Sequence, residues 1–290
     1  MSVDGRLARL TFTDPHTPAN IAELLLKAQL DMSTTMVTQL TLTVADADED
    51  LFRMVFAPKT TWVDYYGPVG LPLQFEVSVR SPELVSEIPV LTLVCRSRMA
   101  QRLKRAFGPL ARGSLSPTTM MMLECGFWGL KFVGPPSPAR PVIARTFDSQ
   151  TQESSWDMGA RLAAELGWVA FEAAGTYYFA PPTWLVANLP RQLLAWQGAG
   201  SDSRILGRPS IREVDDTTVS PLARKQAVTG SVQLTAAMAD SFYVGTALQL
   251  TGMASYDGLF MVDSLSMALD GTSPVTVGFS QPIDPAPSAT

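Results

Sequence analysis

Very few side chains in this sequence can do acid–base, thiol or soft-metal chemistry: one histidine, His16, and two cysteines, Cys95 and Cys125. A closed zinc site needs several Cys or His ligands close together in space, and three residues spread over the first 125 positions do not supply one. His16 lies in Thr-Asp-Pro-His-Thr-Pro, which reads as a solvated turn, not as the base of a Ser-His-Asp site. Cys95 falls in an apolar strand-like run and Cys125 near the end of a helix-like run, so both read as reduced, small core residues. No residue is singled out as catalytic, cofactor-binding or metal-binding.

Three other clusters carry charge or rings. Asp46-Ala-Asp48-Glu49-Asp50 begins like a calcium loop, but its sixth and twelfth positions are Leu51 and Ala57 instead of Gly and Glu, so it reads as an acidic turn. Arg96, Arg98, Arg102, Lys104, Arg105 and Arg112 fall in a stretch, Ile88 to Leu123, without one acidic residue. That stretch is a solvated helix face, a surface for an acidic protein partner, or a face toward nucleic acid. Trp62, Asp64, Tyr65 and Tyr66 make an aromatic loop suited either to stacking on sugars or to packing against a barrel end or a neighbouring subunit. Met120-Met121-Met122 reads as a packed helix or an adaptable binding surface. No phosphate-binding glycine motif is present, and Gly198 to Ser201 reads as a linker.

The elements that hold these residues follow from periodicity. Val37, Leu40, Leu42 and Val44 alternate, as do Leu73, Phe75, Val77 and Val79, and Val90 to Val94 gives a third strand. A short helix is predicted over Ile21 to Leu30. Met99, Leu103 and Phe107 predict another over 97–107. Ser116-Pro117 opens a further helix that Gly126 and Gly129 end, and Pro135 to Pro138 is a stiff linker. Ser154 to Leu166 is a helix stopped by Gly167. A hairpin follows, Trp168 to Glu172 and Thr176 to Phe179, turning at Ala174-Gly175, so 146–190 forms a compact α+β unit. After a linker over 198–207 the chain is β-rich again, with turns at Asp257-Gly258 and Asp270-Gly271 and a last strand from Val275.

The fold class is therefore mainly β with an α+β middle. A first β unit spans 1–95, helices and a hairpin fill 96–204, a second β unit spans 205–282, and 283–290 is a loose tail. The length, 290 residues, accommodates two or more domains. A net charge of -5 argues against a general nucleic-acid binder. Only 17% of residues are charged, against about 25% in ordinary soluble domains, so much of the surface is neutral or covered. No stretch has the length or apolarity of a signal peptide or a membrane span, which predicts cytoplasmic synthesis and folding.

Several of these segments resemble one family. Ser154-Ser-Trp-Asp-Met158 to Trp168, Gly175 to Phe179 and Pro181-Pro182 are similar to the helix-hairpin of tail hub proteins in phages of actinobacteria, relatives of the baseplate hub of contractile tails. Ser116 to Phe132, Pro136 to Arg140, Gly245 to Gly252, Asp257 to Val262 and Val275 to Pro282 share the likeness, which covers about residues 30–282. The opening Asp46-Ala-Asp48 turn departs from the Asp-Pro-Asp frequent in that group. The resemblance implies two tube-protein-like β-barrel or sandwich domains around a small helix-hairpin region. It implies a homotrimeric ring at the end of a tail tube that adapts sixfold to threefold symmetry, a virion protein assembled in the host cytoplasm. Its partners would be the tail tube or distal tail protein, a tip, spike or fibre protein and the tape measure protein, with genome DNA passing through a lumen without specific binding. It implies no cofactor and no enzymatic activity. The alternatives are a receptor- or glycan-binding tip module and a tail-associated cell-wall hydrolase.

Overall fold

The computed structural model describes residues 10–18, 20–54, 60–66, 72–85, 87–145, 152–196, 198, 204–214, 227–285 and 287. The chain begins with β1 (Leu10–Phe12), α1 (Ile21–Leu24), β2 (Leu25–Ser33), β3 (Gln39–Ala45), α2 (Asp50–Arg53), β4 (Val63–Tyr66), β5 (Pro72–Val85) and β6 (Ile88–Ser97). The middle holds α3 (Arg98–Lys104), β7 (Ala111–Leu115), α4 (Pro117–Trp128), β8 (Lys131–Val133), β9 (Arg140–Ala144), α5 (Ser155–Leu166), β10 (Val169–Ala173), β11 (Thr176–Ala180) and α6 (Pro182–Asn188). Then come β12 (Arg191–Ala195), β13 (Ser210–Val214), β14 (Ala227–Leu234), β15 (Ala247–Thr251), β16 (Gly258–Ala268) and β17 (Val275–Ser280). The protein is mainly β, and most strand pairs are antiparallel.

Twelve strands from both ends of the chain form one sheet, in the order β1-β4-β5-β6-β3-β2-β16-β17-β14-β13. The two halves meet where β2 pairs with β16, Asp31 opposite Ser266 and Met32 opposite Leu265. At β16 the sheet forks: Gly258 to Met261 pair with β15, which carries β12 in parallel, and the strand then shifts register between Val262 and Ser264 to meet β2. Such a bulge bends a strand and redirects its edge.

Alternation sets the two faces of this sheet. Leu30, Leu40, Leu42, Leu93, Cys95, Val232, Leu234, Leu265, Val275 and Val277 point one way and are fully or almost fully buried. The opposite face carries rows of small polar groups in register. One row runs Gln233, Thr276, Ser266, Asp31, Gln39 and Arg96. The next runs Ser210, Ser231, Gly278, Ser264 and Ser33.

The middle region is a small α/β layer with its own core. Met120, Met121 and Cys125 of α4, Met158, Leu162 and Ala163 of α5, and Tyr177 and Phe179 of β11 pack together. On its other side Phe171 and Ala173 of β10, with Leu185 and Val186 of α6, join the core under the large sheet. The helix ends match their sequence signals. Ser154 caps α5 through a reciprocal capping box with Asp157, and Gly167 ends it with a φ of 69°. Ser116 caps α4 and Gly129 ends it, whereas Gly126 lies inside the helix. Ala174 (φ 50°) and Gly175 (φ 75°) make the hairpin turn between β10 and β11.

Four expectations change. The helix expected over Ile21 to Leu30 is one turn, Ile21–Leu24, and Leu25 onward is strand β2. There Ala28, Leu30 and Met32 alternate inward, and pairing on both edges outweighs the local helical spacing. The aromatic loop at 62–66 is strand β4 with its lead-in residue. The linker expected over 198–207 is already anchored by Ile205, bridged to Leu234, and by Arg204, whose guanidinium donates to the Leu193 carbonyl; 199–203 lie outside the described residues. The tail is held at Asp284, whose carboxylate accepts the Thr183 N–H (3.0 Å) and hydroxyl (2.7 Å) at the start of α6.

Candidate interaction surfaces

The thiols and the histidine are placed where chemistry is least available. Cys95 and Cys125 are fully buried and unpaired with each other. Burial pushes the Cys95 thiol up, and burial with the nearby Glu124 pushes Cys125 up to about 12. His16 is exposed in a turn, its backbone N–H donating to Asp14 Oδ1 (2.9 Å). The acidic turn is a helix start: Asp46 accepts the N–H groups of Leu51 (3.0 Å) and Phe52 (2.9 Å) at α2. Among the described residues no cluster of three metal-ligating side chains forms.

The aromatic group does not present a sugar platform. Trp62 and Tyr65 are 1% and 2% exposed, and Trp62 meets Phe12 edge-on at 5.1 Å. Asp64 is also buried, and burial raises its pKa against the opposing pull of Arg98. Of the four residues only Tyr66 is exposed. β-pairing of 63–66 with β5 turns the rings inward, a tertiary effect that the aromatic run itself does not signal.

The basic stretch turns largely inward as well. Arg96, Arg98, Arg102 and Lys104 are half-buried, while Arg105 and Arg112 are exposed. Arg105 pairs with the buried Glu76 at 2.5 Å. Lys104 lies 4.8 Å from the centre of the Trp156 ring, and burial and Arg96 lower its pKa against Asp157 and Glu172. A solvated helix face compensated by the Asp46–Asp50 turn is not what forms; the compensating carboxylates, the buried Glu76 and Glu172 and the exposed Asp157, are brought in from elsewhere in the chain.

Glu172 is the deepest of these and had no sequence signal beyond a charge in an apolar strand. It is fully buried at the seam between the α/β layer and the sheet. Its carboxylate accepts the Thr38 N–H (2.9 Å) and hydroxyl (3.3 Å), the Gly175 N–H (2.8 Å) and the Ser97 hydroxyl. Thr38 in turn accepts the Ala174 N–H (3.0 Å). Burial raises the Glu172 pKa, and these four donors oppose the rise. A second buried bond, Ser155 Oγ to Glu124 at 2.6 Å, ties α5 to α4.

What the fold leaves outside is apolar and edge-rich. The one carboxylate of α4, Glu124, faces inward, and Met122, Leu123 and Phe127 are 48%, 42% and 77% exposed on the outer side. A helix apolar all round is usually a buried one. β5 outruns β4, which pairs only as far as Phe75, so β5 and β6 project as an arm with Leu84, Val85 and Ile88 exposed at its tip. The arm's own edge is blunted by Pro82 and the bulge between Val77 and Val79, both common devices against open-ended pairing. At the sheet's other end β13 pairs only with β14 among the described residues.

No protein-family model and no curated protein matches the sequence. Solved structures do match the fold. A tail protein from Neisseria meningitidis superposes with a TM-score of 0.58 at 11% identity, covering 89% of this chain and 92% of that one. The prophage MuSo2 43 kDa tail protein from Shewanella oneidensis gives 0.59 at 10% identity, covering 91% and 95%. The chain has the fold of phage tail proteins. The E. coli c3393 protein, a component of the type VI secretion system described as structurally similar to the T4 bacteriophage tail proteins gp27 and gp5, gives 0.62 at 10% identity, covering 97% and 79%. Among the described residues of this tail-protein fold, no helix is long and apolar enough to cross a membrane.

Proposed function

We propose that this chain is a structural hub protein of a phage tail or a tail-derived injection device, of the kind found in phages of actinobacteria. Three copies form a ring at the end of the tail tube and adapt its sixfold symmetry to a threefold tip. The observation that carries the reading is the fold, shared with tail proteins along almost the whole length of both chains. Two features of this molecule support it. Its one large sheet has unlike edges, β13, β12 and the β1 and β5 strands, and head-to-tail contacts between unlike edges generate rings when the rotation closes. Exposed apolar groups cluster at two places, Met122, Leu123 and Phe127 on α4 and Leu84, Val85 and Ile88 at the arm tip, as interface centres do.

In this reading the β regions 1–95 and 205–282 act as two tube-like units around the middle region 96–204. The tube or distal tail protein binds one side of the ring and a tip, spike or fibre protein the other, with the tape measure protein alongside. Genome DNA passes without a sequence-specific site. The protein resides in the virion tail after assembly in the host cytoplasm. It works through interface energetics, and no reaction is assigned to it.

Sedimentation of the purified chain tests the proposal. A trimer at micromolar concentration, and threefold density at tube ends by electron microscopy, is the expected result. A monomer that forms no ring with tail-tube protein would sink it.

A further inference from the structure

The two exposed apolar patches, on α4 and at the arm tip, have the character of two unlike halves of one contact. On α4 the exposed face is Met122, Leu123, Gly126 and Phe127. Gly126 lies inside the helix, where glycine costs stability relative to alanine. No close neighbour requires it: a Cβ there would meet no atom within 4 Å. Among the exposed Met122, Leu123 and Phe127 it leaves a notch open to the outside, where a branched side chain can approach the helix backbone.

The arm tip supplies such side chains. β5 and β6 run on past the last β3 pair, Ala45 with Val90, and turn at Glu87, whose φ is 66°. Val85 and Ile88 are cross-strand partners, so these two half-exposed, β-branched side chains stand side by side on one face of the tip. Charge divides the patches in the same way. The tip carries Glu83 and Glu87 and no cation. The acidic turn stands beside it, the Asp46 N–H donating to the Pro89 carbonyl, with Asp48 and Asp50 exposed. α4 presents no carboxylate on its outer side, and the exposed Arg112 and Lys131 lie on the strands that lead into and out of it.

The halves do not meet within one chain. β6 starts at the arm tip with Ile88 and ends at Ser97, where α3 and the α/β layer begin, and its 10 residues set those ends about 30 Å apart. We propose that the arm tip of one copy seats on α4 of the next, Val85 and Ile88 over Gly126, with the acidic end of the sheet facing Arg112 and Lys131. The inference rests on the ring reading above and adds which surfaces meet. Each copy gives a tip and receives one, the head-to-tail pattern that makes a ring when its rotation closes. The branched pair and Phe127 form the apolar centre of the contact, and the charges form its rim and orient the approach.

Disulfide trapping tests it, because Cys95 and Cys125 are buried and give a silent background. Val85→Cys and Leu123→Cys are made singly and together in the full chain, sedimentation establishes the assembly state of each, and a mild oxidant is added. The double variant is expected to run as a covalent trimer on a non-reducing gel, an equal mixture of the two single variants as a covalent dimer, and each single variant alone as a monomer. Gly126→Leu is the second variant. It meets open space in the single chain, so the melting temperature of the monomer is expected to hold or rise, while the trimer dissociates at a concentration about tenfold higher or more. A wild-type trimer combined with no cross-link in the double variant, or with an unchanged Gly126→Leu trimer, would overturn the inference and leave the ring reading standing. Cross-linking of a single variant alone would mean that like surfaces meet and would overturn it equally. A covalent ladder beyond the trimer would uphold the seating of tip on helix and sink the ring. A monomeric wild type would remove the ring reading and this inference with it.

Discussion

The large sheet and the small α/β layer solve the same packing problem by different means. Beneath the sheet the core is almost wholly apolar, with polar groups on the far side of each strand. At the layer's seam the chain buries Glu172, held by hydrogen bonds, and Glu76, paired with Arg105, and inside the layer it buries the bonded pair Glu124 and Ser155. Apolar burial is strong but non-directional. Buried hydrogen-bonded carboxylates add little net stability and cost much when one partner is removed. The sheet is thus the source of stability, and the seam fixes where the layer docks.

That contrast can be broken by experiment. Leu42→Ala, in a fully buried sheet position, is expected to cost about 2–5 kcal/mol and to lower the urea midpoint of the whole chain. Glu172→Ala strands the N–H groups of Thr38 and Gly175 and is expected to cost about 1–3 kcal/mol. Its signature in hydrogen exchange is faster exchange in β10 and β11 with β3 and β6 still protected; equal loss in both regions would erase the distinction. Glu172 also gives a pH test. Its folded-state pKa is raised, so the stability it contributes is fully present below the ordinary glutamate range and is lost as pH rises through the raised value. The melting temperature of the wild type should therefore fall, relative to Glu172→Gln, between pH 4 and neutrality, and parallel curves would contradict the seam assignment. Ser154→Ala removes the α5 cap and is expected to cost about 1 kcal/mol, with the loss confined to the layer's amides. Phe127→Ser, on the outer side of α4, is expected to change monomer stability by less than about 0.5 kcal/mol, while subunit association measured by sedimentation weakens.

How much of this was legible in the sequence depended on distance along the chain. The α5 capping box, the Ala174-Gly175 turn and the Asp270 turn, where the carboxylate accepts the Thr272 and Ser273 N–H groups, are local devices, and their residues announce them. Strand β2 is not local. Its apolar spacing fits a helix as well as a strand, and its partners β3 and β16 decide. The inward turn of Trp62 and Tyr65, the parallel pairing of β12 with β15, and the destination of the basic stretch likewise depend on remote partners. The interaction surfaces were the least legible. An exposed Phe127 and a buried Glu124 on one helix look alike until the fold assigns the inside.

The pairing of β2 with β16 also sets a clock on biosynthesis. Asp31 and Ser266, bonded across it, are 235 residues apart. At about 5–20 residues per second, the ribosome needs roughly 12–47 s to deliver the second strand after the first has emerged. During that interval β2 has one edge satisfied by β3 and the other open, so the nascent chain depends on chaperones or rapid completion to avoid pairing with the wrong strand.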